Sequence, residues 1–304
     1  MIVAGLCIRE KSASQAGPGA TAHDPDPTHP PPATLNLSVH PTMSDGTVHL
    51  TLDSGIAWIT FDRPQARNAM TWTMYNQLAA ICEQLKTDHT VRVAVFRGAG
   101  GQAFVAGTDI AQFLEFGSSG DAGADGIAYE QQIDQTLRGF ATLPMPTIAV
   151  IEGWAVGGGL ALATGCDFRI ATPSAKFGVP IARTLGNCLS IANLARLKDA
   201  FGTQRVKRML LLSEVLEANE ALACGYLQQI APAEAIEQAA RDLASKLASL
   251  APITQRVSKE GLRRIAGASL PDDHDLVRLT YGSADFREGV AAFVAKRPPQ
   301  WRGE

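Results

Sequence analysis

The sequence has no apolar run long enough to cross a membrane, little net charge and no cysteine motif. No stretch approaches the roughly 18 consecutive apolar residues that a transmembrane helix needs. With 27 basic and 30 acidic residues, the formal net charge of −3 gives no basic footprint for nucleic acid. The five cysteines are scattered, which is typical of reduced thiols rather than of disulfides or a zinc site. We therefore expect a cytoplasmic protein that has no membrane, nucleic-acid or metal partner.

The first 45 residues differ in composition from the rest of the chain. Seven of the 17 prolines lie between Lys11 and Asp45, and three of them are consecutive. This segment shows little periodicity, so it cannot bury enough apolar surface to offset the entropy of ordering. We predict a disordered, dispensable tail over residues 1–45, and a chain that begins at Met43 should assemble and bind ligand like the full chain.

A run of three glycines is the most informative feature. A strand-like β-branched segment after Pro146 leads into Gly157–Gly159, and Leu160–Ala163 then resembles the start of a helix. Because these glycines carry no Cβ, a ligand can reach the peptide N–H groups, which at a helix start are unpaired and lie at the positive end of the dipole. The pattern favours a site for developing negative charge. Three consecutive glycines are also compatible with an alternative, in which they only form a tight connection between the strand and the helix and bind no ligand.

A second loop of similar character lies upstream. Residues Phe104–Ile110 follow the apolar run Val91–Phe96 and a glycine-rich turn. Two loops that each follow a strand and each offer a bare N–H group could together form a two-donor oxyanion hole.

The chain contains a combination of four different motifs, at Ile59–Met70, Ala103–Ile110, Pro146–Asp167 and Ala175–Pro180. In order and spacing, from about residue 46 to the C-terminus, it resembles the crotonase superfamily, the enoyl-CoA hydratase/isomerase family. The resemblance implies an α/β fold with a crotonase-type ββα spiral core over residues 46–233 and a C-terminal helical trimerisation region over residues 234–304. It also implies an acyl-CoA substrate, no cofactor beyond the coenzyme A of that substrate, and a homotrimer or homohexamer.

Local patterns predict several elements around these motifs. Gly55–Phe61 is strand-like, Thr71 is a candidate N-cap for the helix that follows, and Gly117–Gly126 has the composition of a surface loop over the acyl pocket. Further helices are predicted over residues 127–143, 235–250, 253–265 and 272–296.

The resemblance also assigns the oxyanion donors, which are the N–H groups of Thr108 and Gly158. A thioester carbonyl gains negative charge when its α-carbon becomes enolate-like, and each preorganised donor contributes roughly 10²–10³ in rate. By the same resemblance, coenzyme A recognition would use the loop Arg63–Asn68, which contains Ala66, together with the segment Ala106–Ile110. The substrate-binding residues expected from this segment and from the glycine loop are Ala106, Gly107, Asp109, Ile110 and Gly157. Asp109 is expected to brace its loop.

The acid–base residues of the family's hydratases are missing. Those enzymes add water with two glutamates, one just after the glycine loop and one in a Phe-Gly-x-Pro-Glu stretch. Here Ala161 and Ile181 occupy these places, and neither can transfer a proton. The reaction could therefore be double-bond isomerisation, thioester hydrolysis or decarboxylation, and a non-catalytic acyl-CoA-binding or scaffold protein is a rival hypothesis. A third hypothesis, an RNA-binding homologue of this family, has no support because the sequence contains no basic stripe.

Several polar side chains could supply the missing chemistry. Cys188 could act as a nucleophile or weak acid, or only pack. Arg183 could bind a substrate carboxylate, or form a surface ion pair. Asp134 lies on the preceding helix, where some relatives place a catalytic side chain, with Glu130 one turn earlier; either could instead be solvated. None of the six histidines lies in one of the core motifs, so we do not expect a histidine to act as the catalytic base.

Positive charge for the coenzyme A phosphates is expected from two places. Arg63 and Arg67 flank Gln65, where the family often has a lysine. Lys296 and Arg297 could add charge from the end of a neighbouring subunit. The alternative for each is an ordinary solvated cation.

Overall fold

The computed structural model of the protein describes residues 45–116, 120–266, 272 and 274–302. The predicted tail thus lies outside the described residues except for Asp45. The Asp45 carbonyl oxygen accepts a hydrogen bond of 2.7 Å from Thr71 Oγ1, so the first described residue lies against the start of the first helix.

The strands and helices alternate along the chain from β1 to the C-terminal helices. The strands are β1 (Thr47–Asp53), β2 (Ile56–Asp62), β3 (Val93–Gly98), β4 (Ala103–Val105), β5 (Thr147–Ile151), β6 (Trp154–Val156), β7 (Phe168–Ala171), β8 (Lys176–Gly178), β9 (Val215–Glu217) and β10 (Gln229–Ile230). The helices are α1 (Trp72–Thr87), α2 (Ala122–Ala141), α3 (Gly158–Gly165), α4 (Ile181–Thr184), α5 (Ile191–Phe201), α6 (Thr203–Leu211), α7 (Ala218–Ala223), α8 (Ile236–Ala248), α9 (Pro252–Ala266), α10 (His274–Tyr281) and α11 (Ala284–Val294), with short 3₁₀ helices at Pro64–Ala66 and Ile110–Glu115.

The strands form two sheets that the chain visits in turn. The larger sheet has the order β1-β2-β3-β5-β7-β10, and the smaller has the order β4-β6-β8-β9. Each of the strands β3, β5 and β7 of the larger sheet is followed by a strand of the smaller sheet and then by one or more helices, whereas β10 is followed by helices alone. Apart from the antiparallel pairs β1–β2 and β8–β9, neighbouring strands are parallel. The architecture is a ββα spiral, as the sequence predicted.

The central strands β3 and β5 of the larger sheet are buried on both faces, and their side chains point alternately into two apolar layers. In β3, Ala94 and Phe96 face the layer that the smaller sheet and α1–α3 complete, whereas Val93 and Val95 face α8. Parallel strands covered on both sides have continuous apolar sequences of this kind. The stripe on α8 that includes Leu247 is therefore buried against the chain's own sheet.

Two of the predicted boundaries are wrong. The predicted loop Gly117–Gly126 becomes helical at Ala122, because the Asp121 side chain caps α2 by accepting a 2.9 Å hydrogen bond from Ala124 N; residues 117–119 lie outside the described residues. The predicted helix over 272–296 is two helices, since Ser283 caps α11 by accepting from Phe286 N at 2.9 Å. The N-cap at Thr71 is confirmed by its bond from Met74 N.

Candidate active site

A cavity of about 480 Å³ lies beside the loops that follow β4, β6 and β8 of the smaller sheet. Most of the predicted site residues line this cavity. Apolar side chains such as Phe113 and Ile133 form much of its wall, and Phe293 and Val294 of α11 contribute to it. The sequence-predicted residues that line it are Arg63, Ala66, Ala106, Gly107, Thr108, Asp109, Ile110, Gly157 and Gly158. An apolar cavity with a few convergent polar groups is the usual form of a small-molecule site.

Thr108 lies in a loop that is hydrogen-bonded to Met70 on one side. Met70 N donates to Gly107 O at 2.9 Å, and Asp109 N donates to Met70 O at 2.8 Å. Since successive peptide groups of an extended segment point in opposite directions, the Thr108 N–H group points away from Met70. Among the described residues, it donates to no other group of the protein.

Each of the three glycines answers a different local need. Gly157 has a φ of 54°, which a residue with a side chain rarely adopts. A Cβ on Gly159 would lie 1.9 Å from Val105 O, so only glycine lets α3 approach β4 this closely. A Cβ on Gly158 would instead enter the space beside Thr108, 3.3 Å from Thr108 Oγ1 and 3.9 Å from Thr108 N.

Gly158 is the first residue of α3, so its N–H group has no acceptor within the helix. In the part of the chain that the structure describes, it has no other protein acceptor either. Thr108 and Gly158 therefore present neighbouring backbone donors at one wall of the cavity.

Two tyrosines fix the Thr108 side chain. Tyr75 Oη lies 2.9 Å from Thr108 Oγ1, and Tyr129 Oη donates to the same oxygen at 3.1 Å. Burial raises the pKa of Tyr75 to about 12 and that of Tyr129 well above 10, and the negative charge of Glu130 contributes in both cases. Both phenols therefore stay neutral at physiological pH.

Arg63 is buried and forms an internal ion pair. Its Nη1 lies 2.7 Å from Asp109 Oδ2, and the same nitrogen donates to Ala69 O at 3.1 Å. Asp109 thus braces the Thr108 loop, and the Arg63 charge is already matched by a carboxylate. A phosphate contact from Arg63 stays a prediction.

The cavity wall also contains the two positions where the resemblance described above places the glutamates of hydratases. Ala161 and Ile181 both line the cavity and present only carbon atoms to it. A carboxylate lines the same cavity from α2: Glu130, with a relative exposure of 6%. Glu130 Oε1 accepts a 2.7 Å hydrogen bond from Tyr281 Oη, and its Oε2 accepts one of 3.2 Å from Ser190 N.

Asp134 is buried as well but lies outside the cavity lining. Ser190 Oγ donates to Asp134 Oδ1 at 3.2 Å, and Arg196 Nη1 lies 3.6 Å from the same oxygen. Burial lowers the pKa of Arg196, and the charge of Asp134 opposes that effect. The alternative that Asp134 and Glu130 are solvated helix residues is wrong, because both side chains are buried against α5 and its preceding loop.

Four other candidates lie outside the lining. Arg183 is exposed, although Ile181 and Thr184 beside it reach the cavity. Cys188 is half-buried against the apolar core. Lys296 is exposed just beyond α11, and Arg297 pairs with Glu288 of the same chain.

Comparison with known proteins identifies the group to which this site belongs. The family model for enoyl-CoA hydratase/isomerase matches residues 51–304, which is most of the chain. The chain belongs to the enoyl-CoA hydratase/isomerase family. It is thus an acyl-CoA enzyme of the crotonase superfamily, and the family and fold expected from the sequence are confirmed.

Relatives within this family carry out several different reactions. The chain is 32% identical over 271 residues to (E)-benzylidenesuccinyl-CoA hydratase of Thauera aromatica, covering 84% of this chain and 99% of that protein. It is 32% identical over 257 residues to 1,2-epoxyphenylacetyl-CoA isomerase of Escherichia coli K12, covering 83% and 97%. A solved structure of methylmalonyl-CoA decarboxylase in complex with 2-nitronate-propionyl-CoA matches with a TM-score of 0.77 and 26% identity, covering 84% of this chain and 98% of that chain.

The described residues form neither a membrane-spanning helix nor a candidate metal centre. No described helix is both long and apolar enough to cross a membrane. The described residues also contain no cluster of three or more histidine, cysteine, aspartate or glutamate side chains placed to hold a metal ion.

Glu130 was not predicted as a residue of the site, although the sequence contains a signal for its burial. Gly126, Glu130, Ile133 and Leu137 follow one another at spacings of three or four residues and are all buried on α2. Because a helix packs with its apolar stripe against the core, a glutamate within that stripe is expected to be buried with it. Its partner Tyr281, 151 residues away, could not be read from local pattern.

Proposed function

We propose that this protein stabilises the enolate of an acyl-CoA thioester with the N–H groups of Thr108 and Gly158. The observation that carries the proposal is that both backbone donors lie side by side at the cavity wall without protein acceptors among the described residues. The start of α3 adds the positive end of its dipole. Each donor would contribute roughly 10²–10³ in rate, because it is oriented before the charge develops.

The proposed reaction proceeds through this enolate without a pair of glutamates that adds water. Ala161 and Ile181 support this view, since both line the cavity and neither can carry a proton. Isomerisation, thioester hydrolysis and decarboxylation each pass through a thioester oxyanion or enolate and are compatible with the two donors. The names of the relatives span hydratase, isomerase and decarboxylase, so the acyl group and the final product need direct assay.

The test is exchange of the α-hydrogens of butyryl-CoA and phenylacetyl-CoA in D₂O, followed by mass spectrometry. Gly158→Ala should lower the exchange rate by about 10²-fold or more, because the new Cβ, 3.0 Å from Tyr75 Oη, occupies the space proposed for the thioester oxygen. Gly139→Ala on α2 is the matched control, since its Cβ would meet no atom within 4 Å.

Exchange at the wild-type rate in Gly158→Ala, with its fold intact by circular dichroism, would refute the oxyanion assignment. A wild-type protein that exchanges neither thioester would refute enolate formation itself. A panel of enoyl-, β-keto- and malonyl-type CoA thioesters, with products identified by mass, would then separate the three reactions.

We also propose that three or six copies assemble through the C-terminal helices. The exposed face of α9 supports this, because Ile253, Val257, Leu262 and Ile265 are each more than 60% exposed. Large apolar side chains clustered on one helix mark a surface that another chain covers. The stripe on α8 does not contribute, since the chain's own sheet buries it.

Light scattering tests this assembly. The protein should have three or six times the mass of the 304-residue chain, and Val257→Asp should lower that mass. Ser258→Asp, one residue away, is the control and should leave the mass unchanged. A stable wild-type monomer at micromolar concentration would refute the assembly.

A further inference from the structure

The cavity contains few groups that could move a proton. Among the described residues that line it, four carry titratable side chains: Arg63, Asp109, Tyr129 and Glu130. Arg63 and Asp109 already form an ion pair with each other at 2.7 Å. Tyr129 is a neutral phenol whose pKa lies well above 10 because it is buried. By elimination, Glu130 is the lining group suited to accept a proton.

The hydrogen bonds of Glu130 suit a carboxylate base. Tyr281 Oη donates to one carboxylate oxygen and Ser190 N to the other, so two neutral donors orient the group. The pKa of Tyr281 is well above 10, since the phenol is buried and lies beside the Glu130 charge, and therefore Tyr281 keeps its proton. The tyrosine thus acts as the hydrogen-bond donor, and Glu130 Oε1 is the acceptor.

Glu130 is also close to the paired backbone donors. It neighbours Tyr129 in sequence, and Tyr129 Oη donates to Thr108 Oγ1 at 3.1 Å. Its charge raises the pKa of Tyr75, whose Oη would lie 3.0 Å from a Cβ on Gly158. The carboxylate and the Thr108–Gly158 donors therefore border one small volume.

We infer that Glu130 is the catalytic base that removes a proton from the α-carbon of the bound acyl-CoA thioester. One Glu130 carboxylate oxygen forms the new O–H bond, and the C–H electron pair moves into the C=C bond of the enolate. The thioester C=O electron pair moves onto the oxygen that Thr108 and Gly158 bind. Return of a proton from Glu130 to carbon completes the cycle. The inference rests on the proposed function and adds the group that carries the proton.

The inference also assigns a positioning role to Tyr281. Its hydroxyl fixes one oxygen of Glu130, and its ring packs against α2 where Gly126 leaves room for it. Tyr281→Phe keeps the ring and removes this hydrogen bond together with the longer one, 3.5 Å, that Asn187 Nδ2 donates to the same hydroxyl. The exchange rate at saturating thioester should then fall, whereas the thioester dissociation constant should stay the same.

The deciding experiment is α-hydrogen exchange of butyryl-CoA and phenylacetyl-CoA in D₂O with Glu130→Gln. We expect the rate to fall by about 10²–10⁴-fold, as for loss of a general base. Thioester binding, measured by isothermal titration, should be retained because the backbone donors are untouched. Glu152→Gln is the matched control: it makes the same change at a largely buried glutamate that pairs with Arg97 outside the cavity lining.

Each outcome bears on the inference differently from the proposed function. Exchange lost in Gly158→Ala but kept in Glu130→Gln overturns the base and leaves the oxyanion assignment standing. Loss in Asp134→Asn with retention in Glu130→Gln would move the role to Asp134 and also overturn the inference. If Glu130→Gln fails to fold, Tyr281→Phe decides: an unchanged exchange rate in that folded variant overturns the inference. A wild-type protein without exchange overturns both.

Discussion

Replacing Asn68 should weaken the fold more than any change at an exposed asparagine, because its side chain joins three backbone segments. Asn68 is fully buried. Its Oδ1 accepts from Arg63 N at 2.9 Å, and its Nδ2 donates to Ala99 O at 3.0 Å and Ala103 O at 2.8 Å. Its φ of 57° is one that asparagine tolerates better than alanine. The side chain therefore connects the end of β2 to the turn between β3 and β4, beside the Thr108 loop.

The expected loss can be worked out from these contacts. Asn68→Ala leaves one backbone N–H group and two carbonyl groups without this partner, at about 1–3 kcal/mol for each group that stays buried and unpaired. Partial relaxation and about 1 kcal/mol for the left-handed backbone give a total of about 3–6 kcal/mol. For a domain of this size, each kcal/mol lowers the Tm by about 2–4 °C, so a fall of about 6–24 °C is expected.

Thermal unfolding at fixed protein concentration, followed by circular dichroism, measures this loss. Asn76→Ala on the exposed face of α1 is the matched control and should change the free energy of unfolding by no more than about 0.5 kcal/mol. Asn68→Gly removes the same hydrogen bonds but relieves the backbone, so its Tm should lie slightly above that of Asn68→Ala. If the Tm of Asn68→Ala lies within about 2 °C of that of the wild type, the reasoning is refuted.

Three further predictions concern packing, chemistry and thiols. Gly126→Ala should lower the free energy of unfolding by about 1–3 kcal/mol in urea, because its Cβ would lie 2.3 Å from the Tyr281 ring; Gly139→Ala should raise it by about 0.5–1 kcal/mol, and equal effects would contradict the packing argument. Hydration of crotonyl-CoA should be slow, since loss of a proton-transfer group costs about 10²–10⁴-fold; a kcat near the upper end of the usual ~1–10³ s⁻¹ would sink this prediction. Burial raises the pKa of Cys82 and of Cys166 to about 12, which disfavours the reactive thiolate, so iodoacetamide at about pH 8 should label them in urea but not in the native protein. Equal labelling by peptide mapping would count against their burial.

Local sequence was enough to predict the backbone of the candidate site. The positive φ at Gly157, the helix start that exposes the Gly158 N–H group and the N-cap at Thr71 all depend on residues within a few positions of one another. Such features follow from backbone geometry and short-range hydrogen bonds, so a motif records them. The need for glycine at Gly159 is different, because it comes from the approach of Val105 on β4. The order of the motifs then pointed to the fold, which the family match confirms.

The side chains around the cavity were harder to predict because their surroundings come from distant segments. In the loop before α5, Asn187 and Leu189 line the cavity whereas Cys188 turns into the apolar core, and the sequence does not say which way each residue points. Arg183 carries a suitable charge but projects into solvent.

Glu130 illustrates what only the tertiary structure decided. By sequence it is one acidic residue on the apolar stripe of a helix, and no neighbouring residue shows which groups meet its carboxylate. In the folded protein, Tyr281 from α10 and the backbone of Ser190 before α5 bring two donors to its carboxylate. The chain contributes these donors from positions 151 and 60 residues away. A buried charge is stable only where such partners meet it, and that meeting is a property of the packed helices rather than of any local pattern.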